Sequence, residues 1–375
     1  MIIGILKEEG NENRVALLPE SVATLTKMLV TVLVEKDAGA GAFASDADYE
    51  AAGAQIALKP DVISKADMLI RINPPSDAEV EQLKEKAVFL AVLNPFFNGD
   101  LIRKLAQKDI TSFSLDVIPR TSRAQSMDIL SSMATVSGYK AVLTAANLLP
   151  KFFPMFMTAA GTITPAKVLI LGAGVAGLQA LATSRKLGAV VEVFDVRAAV
   201  KEEVVGLGGK FVEVEGAIDD KAAGGYAVEQ SDEFKKKQAA AVHDHAVKSD
   251  VVICTAQIPG KRAPLLLKKE TVEAMKPGSV IIDLAASTGG NCEVTKNDET
   301  TIFHGVKVIG NSSFPVDMPS DASKMFGKNV INFLKLMISP KGEFNLNWSD
   351  DIVKGTCVTH NHEIVHERVK AMITV

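Results

Sequence analysis

Short runs of apolar residues alternate with segments of helical periodicity over the first hundred residues of the chain. Apolar side chains recur at helical spacing in residues 19–29 and 77–86, and Pro19 suits a first helical turn. Strand–helix–strand succession of this kind predicts a parallel sheet that is covered on both faces. The strands predicted here are residues 2–6, 30–35, 68–72 and 88–93.

A second series of strands and helices begins at Ala166, after a longer helical stretch over residues 126–149. Six strands with helical connections make up a doubly wound set. We therefore predict an α/β protein of two Rossmann-like, doubly wound parallel-sheet domains with a cleft between them. The strands predicted in the second series are residues 167–172, 189–196, 210–214, 250–256, 279–285 and 306–310.

The end of the chain is predicted to return to the first domain. Residues 321–337 have helical periodicity, and the tail after Pro319 is too short to form a domain of its own. The N-terminal domain is then discontinuous. The predicted domains are residues 1–135 plus 325–375, which form a Rossmann-like domain, and residues 136–324, which form a second Rossmann domain.

The composition is that of a globular protein. Of the 375 residues, 47% are hydrophobic and 23% are charged, which excludes a disordered chain. The net charge of −4, without a strongly basic stripe, argues against nucleic acid as a partner. Because no run of 18 apolar residues and no signal peptide is evident, we expect a soluble intracellular chain or a soluble piece of a longer one. Cys254, Cys292 and Cys357 are interpreted as reduced thiols.

The most informative motif directly follows the first strand of the second series. Gly172, Gly174 and Gly177 form GxGxxG, whose glycines allow a tight turn, close approach to a pyrophosphate and close helix–strand packing. Asp195 ends the next strand, where a carboxylate accepts hydrogen bonds from a ribose 2′-hydroxyl and repels a 2′-phosphate. The motif therefore predicts NAD(H) rather than NADP(H), with Arg197 in a secondary role. The predicted binding residues are Gly172, Ala173, Gly174, Val175, Gly177, Asp195, Val196 and Arg197.

The sequence HEIVH near the end of the chain matches the HExxH zinc pattern. His362, Glu363 and His366 provide it, and His360 could join as a third ligand. The pattern requires a helix that places both histidines on one face, whereas the surrounding residues alternate and are β-branched. We therefore predict a polar strand or hairpin and no metal site.

Residues 119–132 form a polar segment at the predicted domain junction, beside the start of the long helix. One interpretation is structural, with Ser126 as the cap of that helix. Because clefts between domains bind substrates, we favour a functional role. The candidate residues of this segment are Arg120, Arg123, Gln125, Asp128 and Ser131.

Six segments of the chain, in order, resemble the NAD(H)-binding component of proton-translocating nicotinamide nucleotide transhydrogenases. The polar segment and residues 154–162 are much more specific for this family than the glycine motif. The nearest family with another activity is alanine dehydrogenase, which shares the fold and the segment around Arg14. The segments that carry the resemblance are residues 7–22, 119–132, 154–162, 168–197, 257–264 and 275–291.

The two activities differ in their need for proton transfer. Oxidation of alanine requires proton transfers, for which that enzyme has a catalytic lysine and histidine. The resemblance places Asn73 at the lysine position, Asn94 at the histidine position and Ser287 near the position of an aspartate on the nicotinamide side. Hydride transfer between two nicotinamides requires only closeness, alignment and exclusion of water. These three replacements favour a transhydrogenase.

The resemblance also implies which residues take part in hydride transfer. In the polar segment these are Arg120, Gln125, Asp128 and Ser131, which border the nicotinamide in the family. Arg120 and Asp128 could pair and fix the segment. The Gln125 amide could hydrogen-bond the nicotinamide ribose or reach toward the second nucleotide.

Residues 216–240, rich in charged residues, glycine and alanine, interrupt the second series of strands. From composition alone, a solvated surface helix and a mobile functional loop are both open. The resemblance matches this stretch to a mobile lid, with Tyr226 folding over the bound nucleotide. Ala256 and Gln257 complete the implied binding set.

The resemblance implies an enzyme, a Si/Re-specific, proton-translocating NAD(P)⁺ transhydrogenase. This chain would bind NAD(H) and form a homodimer. Its partners would be an NADP(H)-binding component and a membrane-spanning proton-channel component. Through them the chain itself would lie at the periphery of a membrane, on the cytoplasmic or matrix side. The alternatives are an alanine-dehydrogenase-like amino-acid oxidoreductase and a non-catalytic NAD-binding subunit. The sequence leaves open whether the chain is a separate subunit or a piece of a longer polypeptide.

Overall fold

Two compact units make up the computed structural model, which describes residues 1–216, 231–258 and 261–373. Unit 1 comprises Met1–Met133 and Pro315–Val375, and unit 2 comprises Ala134–Phe314. Elements are numbered in chain order. The division falls within the long helix α6 (Ile129–Leu148).

The sheet of unit 1 has a Rossmann-type core. In the described residues the strand order is β3-β2-β1-β4-β5-β6-β16-β17. Neighbours among β1 to β6 are parallel, whereas β16 is antiparallel to β6 and to β17. The order 3-2-1-4-5-6 is that of a doubly wound sheet. The strands are β1 (Ile2–Ile5), β2 (Thr31–Glu35), β3 (Gln55–Ala57), β4 (Met68–Ile70), β5 (Val88–Ala91), β6 (Thr111–Ser114), β16 (Cys357–His360) and β17 (Glu363–Ile364).

Apolar side chains cover both faces of this sheet. Along β4, Met68 and Ile70 belong to one buried cluster and Leu69 belongs to another, as the alternation of side chains in a strand requires. Every residue of β4, β5 and β6 is buried, which explains the near-continuous apolar runs that predict the first two. The helices of this unit are α1 (Pro19–Lys27), α2 (Asp46–Ala51), α3 (Lys59–Lys65), α4 (Asp77–Gln82), α5 (Gly99–Gln107), α11 (Pro319–Leu334), α12 (Asp351–Thr356) and α13 (Glu367–Ile373).

Helix α11 lies wholly in unit 1, whereas the predicted domain limit at residue 325 would divide it. The hydroxyl of its buried Ser323 accepts a hydrogen bond from the Val15 N–H at 2.9 Å. The second turn of the helix is therefore hydrogen-bonded to a residue near the start of the chain.

Strand β6 is absent from the sequence prediction because its residues, TSFS, are mostly polar. Their burial depends on pairing between hydroxyl groups. The Ser112 and Thr359 hydroxyl oxygens lie 2.7 Å apart, and the Thr359 hydroxyl donates to the Ile110 carbonyl at 2.7 Å. Thr359 lies in β16, which pairs with β17. The HEIVH segment, residues 362–366, contributes the turn and β17 to this hairpin, as predicted, and is not helical.

Unit 2 contains the second doubly wound sheet, with the described order β11-β10-β9-β12-β13-β15-β14. The six predicted strands are present as parallel neighbours, and β14 adds an antiparallel edge. The predicted fold class, two Rossmann-like parallel sheets in an α/β chain, is confirmed. The strands are β9 (Lys167–Leu171), β10 (Val190–Phe194), β11 (Lys210–Phe211), β12 (Val251–Cys254), β13 (Val280–Asp283), β14 (Thr300–Phe303) and β15 (Val306–Ile309); a separate hairpin consists of β7 (Phe156–Thr158) and β8 (Gly161–Ile163).

The central strands of this sheet are again covered on both faces. In β9, Val168 and Ile170 pack with Ala141 and Ala145 of α6, whereas Leu169 belongs to a second cluster. The remaining helices described in unit 2 are α7 (Val175–Lys186), α8 (Lys201–Gly206), α9 (Asp232–Ala246) and α10 (Lys269–Ala274). Among the described residues, no helix has both the length and the apolar composition needed to cross a bilayer.

Candidate functional site

The glycine motif forms a tight turn between β9 and α7, as predicted. Gly172 has φ of 108°, a conformation that favours glycine, and its N–H donates to the Phe194 carbonyl at 2.8 Å. Gly174 is the residue before α7, and no side chain of the described residues caps the helix there. A Cβ added at Gly174 would meet nothing within 4 Å. The turn thus offers open space at a helix N-terminus, which suits a pyrophosphate.

Close packing requires the other glycines of this region. A Cβ at Gly177 would lie 1.8 Å from the Gly172 carbonyl oxygen, so α7 could not approach the turn with any other residue. Gly138 of α6 has a similar role, because its Cβ would lie 2.2 Å from the Ala176 carbonyl oxygen. The sequence analysis missed Gly138, since a lone glycine inside a helical pattern does not show which surface approaches it.

Asp195 directly follows β10, and its carboxylate already has donors on both oxygens. The Ala173 N–H donates to Oδ2 at 2.7 Å. The Arg197 backbone N–H and Nε donate to Oδ1 at 2.8 and 2.9 Å, and Nη2 donates to Oδ2 at 2.7 Å. The Asp195 side chain is only 7% exposed. The structure therefore pairs Arg197 with Asp195, and neighbouring Val196 packs against an apolar cluster of the sheet.

Ala256 and Gln257 follow β12, the strand adjacent to β9. The Gln257 side chain donates from Nε2 to the Leu284 carbonyl at 2.9 Å. The Ala256 N–H donates to Asn291 Oδ1 at 3.0 Å, and the Ala256 carbonyl accepts from Asn291 Nδ2 at 2.9 Å. Both predicted residues are thus anchored to the segment after β13.

Asn291 and Asp283 support the candidate site, and no motif in the sequence identifies them. Besides Ala256, fully buried Asn291 bonds the Pro264 carbonyl from Nδ2 at 2.8 Å and so holds both ends of the segment 256–264. Its own N–H donates to the carboxylate of buried Asp283 at 2.8 Å. Burial raises the pKa of Asp283, against the effect of its hydrogen bonds. The only signal in the sequence is a polar residue at the end of a buried strand.

The polar segment of unit 1 begins with a 3₁₀ helix, Ser122–Met127, that leads into α6. Asp128 caps α6, because its carboxylate accepts from the Ser131 N–H at 3.0 Å and from the Ser131 hydroxyl at 2.7 Å. The alternative structural interpretation, with Ser126 as the cap, does not agree with this start of the helix. Among the described contacts, Asp128 pairs with Ser131 at the start of its own helix and not with Arg120.

Two sets of contacts hold this segment within unit 1. The Arg123 guanidinium binds both carboxylate oxygens of Asp350 at 2.7 and 2.8 Å and also contacts Asp351. Hydrogen bonds from Arg123 lower the pKa of Asp350 to about 2. The Ser126 carbonyl accepts from the side-chain amides of α11 residue Asn329 at 2.8 Å and of Asn332 at 3.1 Å.

Within this anchored segment, two of the four side chains proposed for hydride transfer are exposed to solvent. Arg120 and Gln125 are exposed, and Asp128 and Ser131 are half-buried. Among the described residues, the Gln125 amide makes no hydrogen bond. Its carboxamide is therefore available for a ligand, whereas Asp128 and Ser131 maintain the start of α6.

A second polar cluster lies at the carboxyl ends of β1 and β4 in unit 1. The Glu8 carboxylate accepts from the Ile72 N–H at 2.5 Å and from the Asn73 side chain at 3.0 Å, and burial raises its pKa. Glu12 forms a two-pronged pair with Arg14, at 2.7 Å to Nε and 2.6 Å to Nη2. Asn73 Nδ2 also approaches Glu12 at 3.4 Å. The carboxylates of Glu8 and Glu12 thus have their hydrogen-bond partners within the cluster.

Two sequence predictions lie outside the described residues. Tyr226 and the centre of the predicted lid fall in residues 217–230, so the lid stays a prediction. The described portion of the 216–240 stretch includes the start of α9, in which the Ser231 hydroxyl caps the helix by accepting from the Phe234 N–H at 3.2 Å.

The chain is similar to known proteins over nearly its full length. Models of the alanine dehydrogenase/PNT N-terminal and C-terminal domains match residues 4–137 and 141–367. The first part of NAD(P) transhydrogenase subunit alpha of Rhodospirillum rubrum is 46% identical, with 98% of each chain covered. Alanine dehydrogenase 2 of Staphylococcus aureus is 30% identical, with 91% of this chain and 88% of its own covered. The crystal structure of transhydrogenase from Sinorhizobium meliloti has a TM-score of 0.89 at 41% identity, covering 97% of this chain and 100% of that one.

Proposed function

Because the chain belongs to the alanine dehydrogenase/PNT family, we propose that it is the NAD(H)-binding component of an NAD(P) transhydrogenase. It would pass hydride directly between NADH and NADP⁺ held by a partner component. Similarity supports this choice, since the relative named as a transhydrogenase subunit is 46% identical and the one named alanine dehydrogenase is 30% identical.

The residues around Asn73 are the observation that favours transhydrogenation over alanine oxidation. A carboxamide has no group that titrates near neutral pH and cannot act as a general acid or base, so Asn73 cannot replace a catalytic lysine. The adjacent Glu8 is occupied by the Ile72 and Asn73 N–H groups, and Arg14 is paired with Glu12. This arrangement suits a reaction that needs no acid or base, and Arg14 is not left unpaired for an amino-acid carboxylate.

In this proposal, unit 2 holds the NAD(H). The backbone around Gly172, Ala173, Gly174 and Val175 would receive the pyrophosphate at the start of α7, which Gly177 brings close to the turn. The adenosine ribose would bind at Asp195, with Val196 and Arg197 beside it. The described ends of the 256–264 segment, with Ala256 and Gln257, would complete the site. NADH, when bound, supplies hydride from C4 of its nicotinamide.

The polar segment is proposed to serve alignment. Arg120 and Gln125 would orient reacting groups, and Asp128 with Ser131 would fix the segment from which they project. No proton transfer is assigned to these residues, since exchange between nicotinamides needs closeness and exclusion of water. A membrane-spanning partner would couple the exchange to proton movement, which places this chain at a membrane through its partners.

One assay separates the three candidate functions. The chain is mixed with an NADP(H)-binding transhydrogenase component, NADH and NADP⁺, and in parallel with NAD⁺ and L-alanine. We expect NADPH formation only when both components are present, and no NADH formation from alanine. Alanine-dependent reduction of NAD⁺ would favour the dehydrogenase, and NADH binding without either reaction would favour a non-catalytic subunit.

We propose that the chain forms a homodimer through the β7–β8 hairpin. All six residues of its strands are exposed, and Met157 is 78% exposed. Phe152 packs edge-on against Phe156, with ring centroids 4.7 Å apart, and both side chains are exposed, so they extend the apolar surface of the hairpin. A two-stranded hairpin is marginal in water, and an exposed apolar patch marks an interaction surface that a second copy can cover symmetrically.

Replacing Met157 with aspartate is expected to convert the dimer to monomer at micromolar concentration, because a carboxylate would be buried without a partner. Analytical ultracentrifugation measures the change. The control is Phe43→Ser, at an 85% exposed position in unit 1. An unchanged dimer in Met157→Asp, or equal dissociation in the control, would contradict the proposed interface.

A further inference from the structure

We propose that the Thr255 hydroxyl is a positioning group that fixes the peptide bond between Gly172 and Ala173 in the glycine turn. The inference rests on the proposed NAD(H) binding of unit 2 for its functional consequence. The hydrogen bond between Thr255 and the turn does not depend on that proposal. Thr255 lies outside the GxGxxG motif, 83 residues after Gly172, and directly follows β12.

The hydroxyl is placed against two carbonyl groups at the end of β9. Thr255 Oγ1 lies 2.9 Å from the Gly172 carbonyl oxygen and 3.2 Å from the Leu171 carbonyl oxygen. One hydroxyl hydrogen serves one acceptor at a time, and the shorter distance favours Gly172. The Thr255 N–H separately donates to Leu171 at 2.8 Å, so the backbone pairing does not depend on the side chain.

The glycines of the motif leave the space that this hydroxyl occupies. A Cβ at Gly172 would lie 2.6 Å from Thr255 Oγ1, and a Cβ at Gly177 would lie 3.2 Å from it. Because Gly172 and Gly177 have no side chains, the Thr255 side chain can approach the turn from the end of the neighbouring strand. A larger residue at either glycine would displace the Thr255 hydroxyl.

The same peptide unit is held at its other end. The Gly172 carbonyl belongs to the peptide whose N–H is that of Ala173, and this N–H donates to Asp195 Oδ2 at 2.7 Å. Thr255 and Asp195 thus clamp one peptide plane from opposite sides. If the plane rotates, the Asp195 carboxylate loses a donor and the backbone that faces the pyrophosphate changes direction.

The test compares Thr255→Val, which removes the hydroxyl at similar volume, with Thr255→Ser, which keeps it. Thr183→Val is the matched control, because Thr183 in α7 is buried and its hydroxyl bonds the Gln179 carbonyl at 2.9 Å. In Thr255→Val we expect the dissociation constants of NADH and ADP-ribose to rise about tenfold or more, because the peptide that has lost its partner would rotate in the free chain and binding would have to restore its orientation. Thr255→Ser should stay within about threefold of the parent chain, and Thr183→Val should bind normally.

A second measurement needs no nucleotide. Hydrogen exchange of the Ala173 amide should accelerate in Thr255→Val and remain at the parent rate in Thr255→Ser and Thr183→Val. Unchanged exchange, or equal acceleration in both valine variants, would overturn the clamp. If the parent chain bound no NADH while the Ala173 amide still responded, the proposed function would fail and the clamp would stand. Tight NADH binding by Thr255→Val would overturn its role in the site.

Discussion

When Asp195 is replaced with alanine, the ratio of NADH affinity to NADPH affinity is expected to fall about ten- to a hundredfold. In the parent chain the carboxylate would accept from the ribose diol and repel a 2′-phosphate. Loss of a hydrogen bond to a charged group costs ~1.5–3 kcal/mol, which corresponds to about ten- to a hundredfold in NADH affinity. The structure adds a second effect, because Arg197 donates to this carboxylate through Nε and Nη2. Without Asp195, the guanidinium can turn to a 2′-phosphate.

Titrations of both nucleotides with the parent chain and two variants separate these effects. Asp195→Ala should weaken NADH and strengthen NADPH. Asp195→Ala combined with Arg197→Met should keep the loss of NADH affinity and abolish the gain for NADPH. Equal binding of the two nucleotides by the parent chain would contradict the assignment of Asp195.

Replacing Gln125 with asparagine is expected to lower the rate of hydride transfer about a hundredfold at an almost constant NADH dissociation constant. The change keeps the amide and shortens its reach by roughly 1.5 Å, and a misplacement of about 1 Å can cost that factor when reacting carbons must approach to ~3–3.5 Å. NADH affinity rests on the glycine turn and Asp195. The segment itself should remain intact, because Arg123 and Ser126 hold it independently of the Gln125 amide.

Single-turnover kinetics over a range of pH, with NADH affinity measured separately, checks this expectation. Gln107→Asn, an equivalent change at an exposed position on α5, serves as the control. An unchanged rate would make the polar segment purely structural. A new pH dependence would indicate an acid–base step and favour the dehydrogenase.

The fold was largely predictable because the central strands are buried on both faces. Continuous apolar runs such as Val88–Ala91 indicate a strand directly, and this one is followed by helix α5. The strand Thr111–Ser114 could not be predicted in this way. The Ser112 hydroxyl pairs with that of Thr359 in β16, more than 240 residues later in the chain. Burial of polar residues depends on tertiary partners, which periodicity cannot show.

In the candidate site, too, the residues that act through local sequence were predictable and those that act through distant partners were not. The glycine turn and Asp195 were predictable because consecutive residues form the turn and because the acid ends the next strand. Thr255 and Asn291 were not, since they act across neighbouring strands that lie far apart in sequence. The structural interpretation placed the cap of α6 at Ser126 and not at Asp128, because a short 3₁₀ helix precedes α6 and moves the cap by two residues.

Isotope transfer between the two nucleotides tests the central claim most directly. The chain and an NADP(H)-binding component are mixed in ordinary water with NADP⁺ and NADH that carries deuterium at both C4 positions. Mass spectrometry then measures the NADPH formed. Direct hydride exchange predicts one deuterium at C4 of each NADPH. NADPH that contains solvent hydrogen at that position, or no NADPH although both components bind their nucleotides, would contradict the proposal.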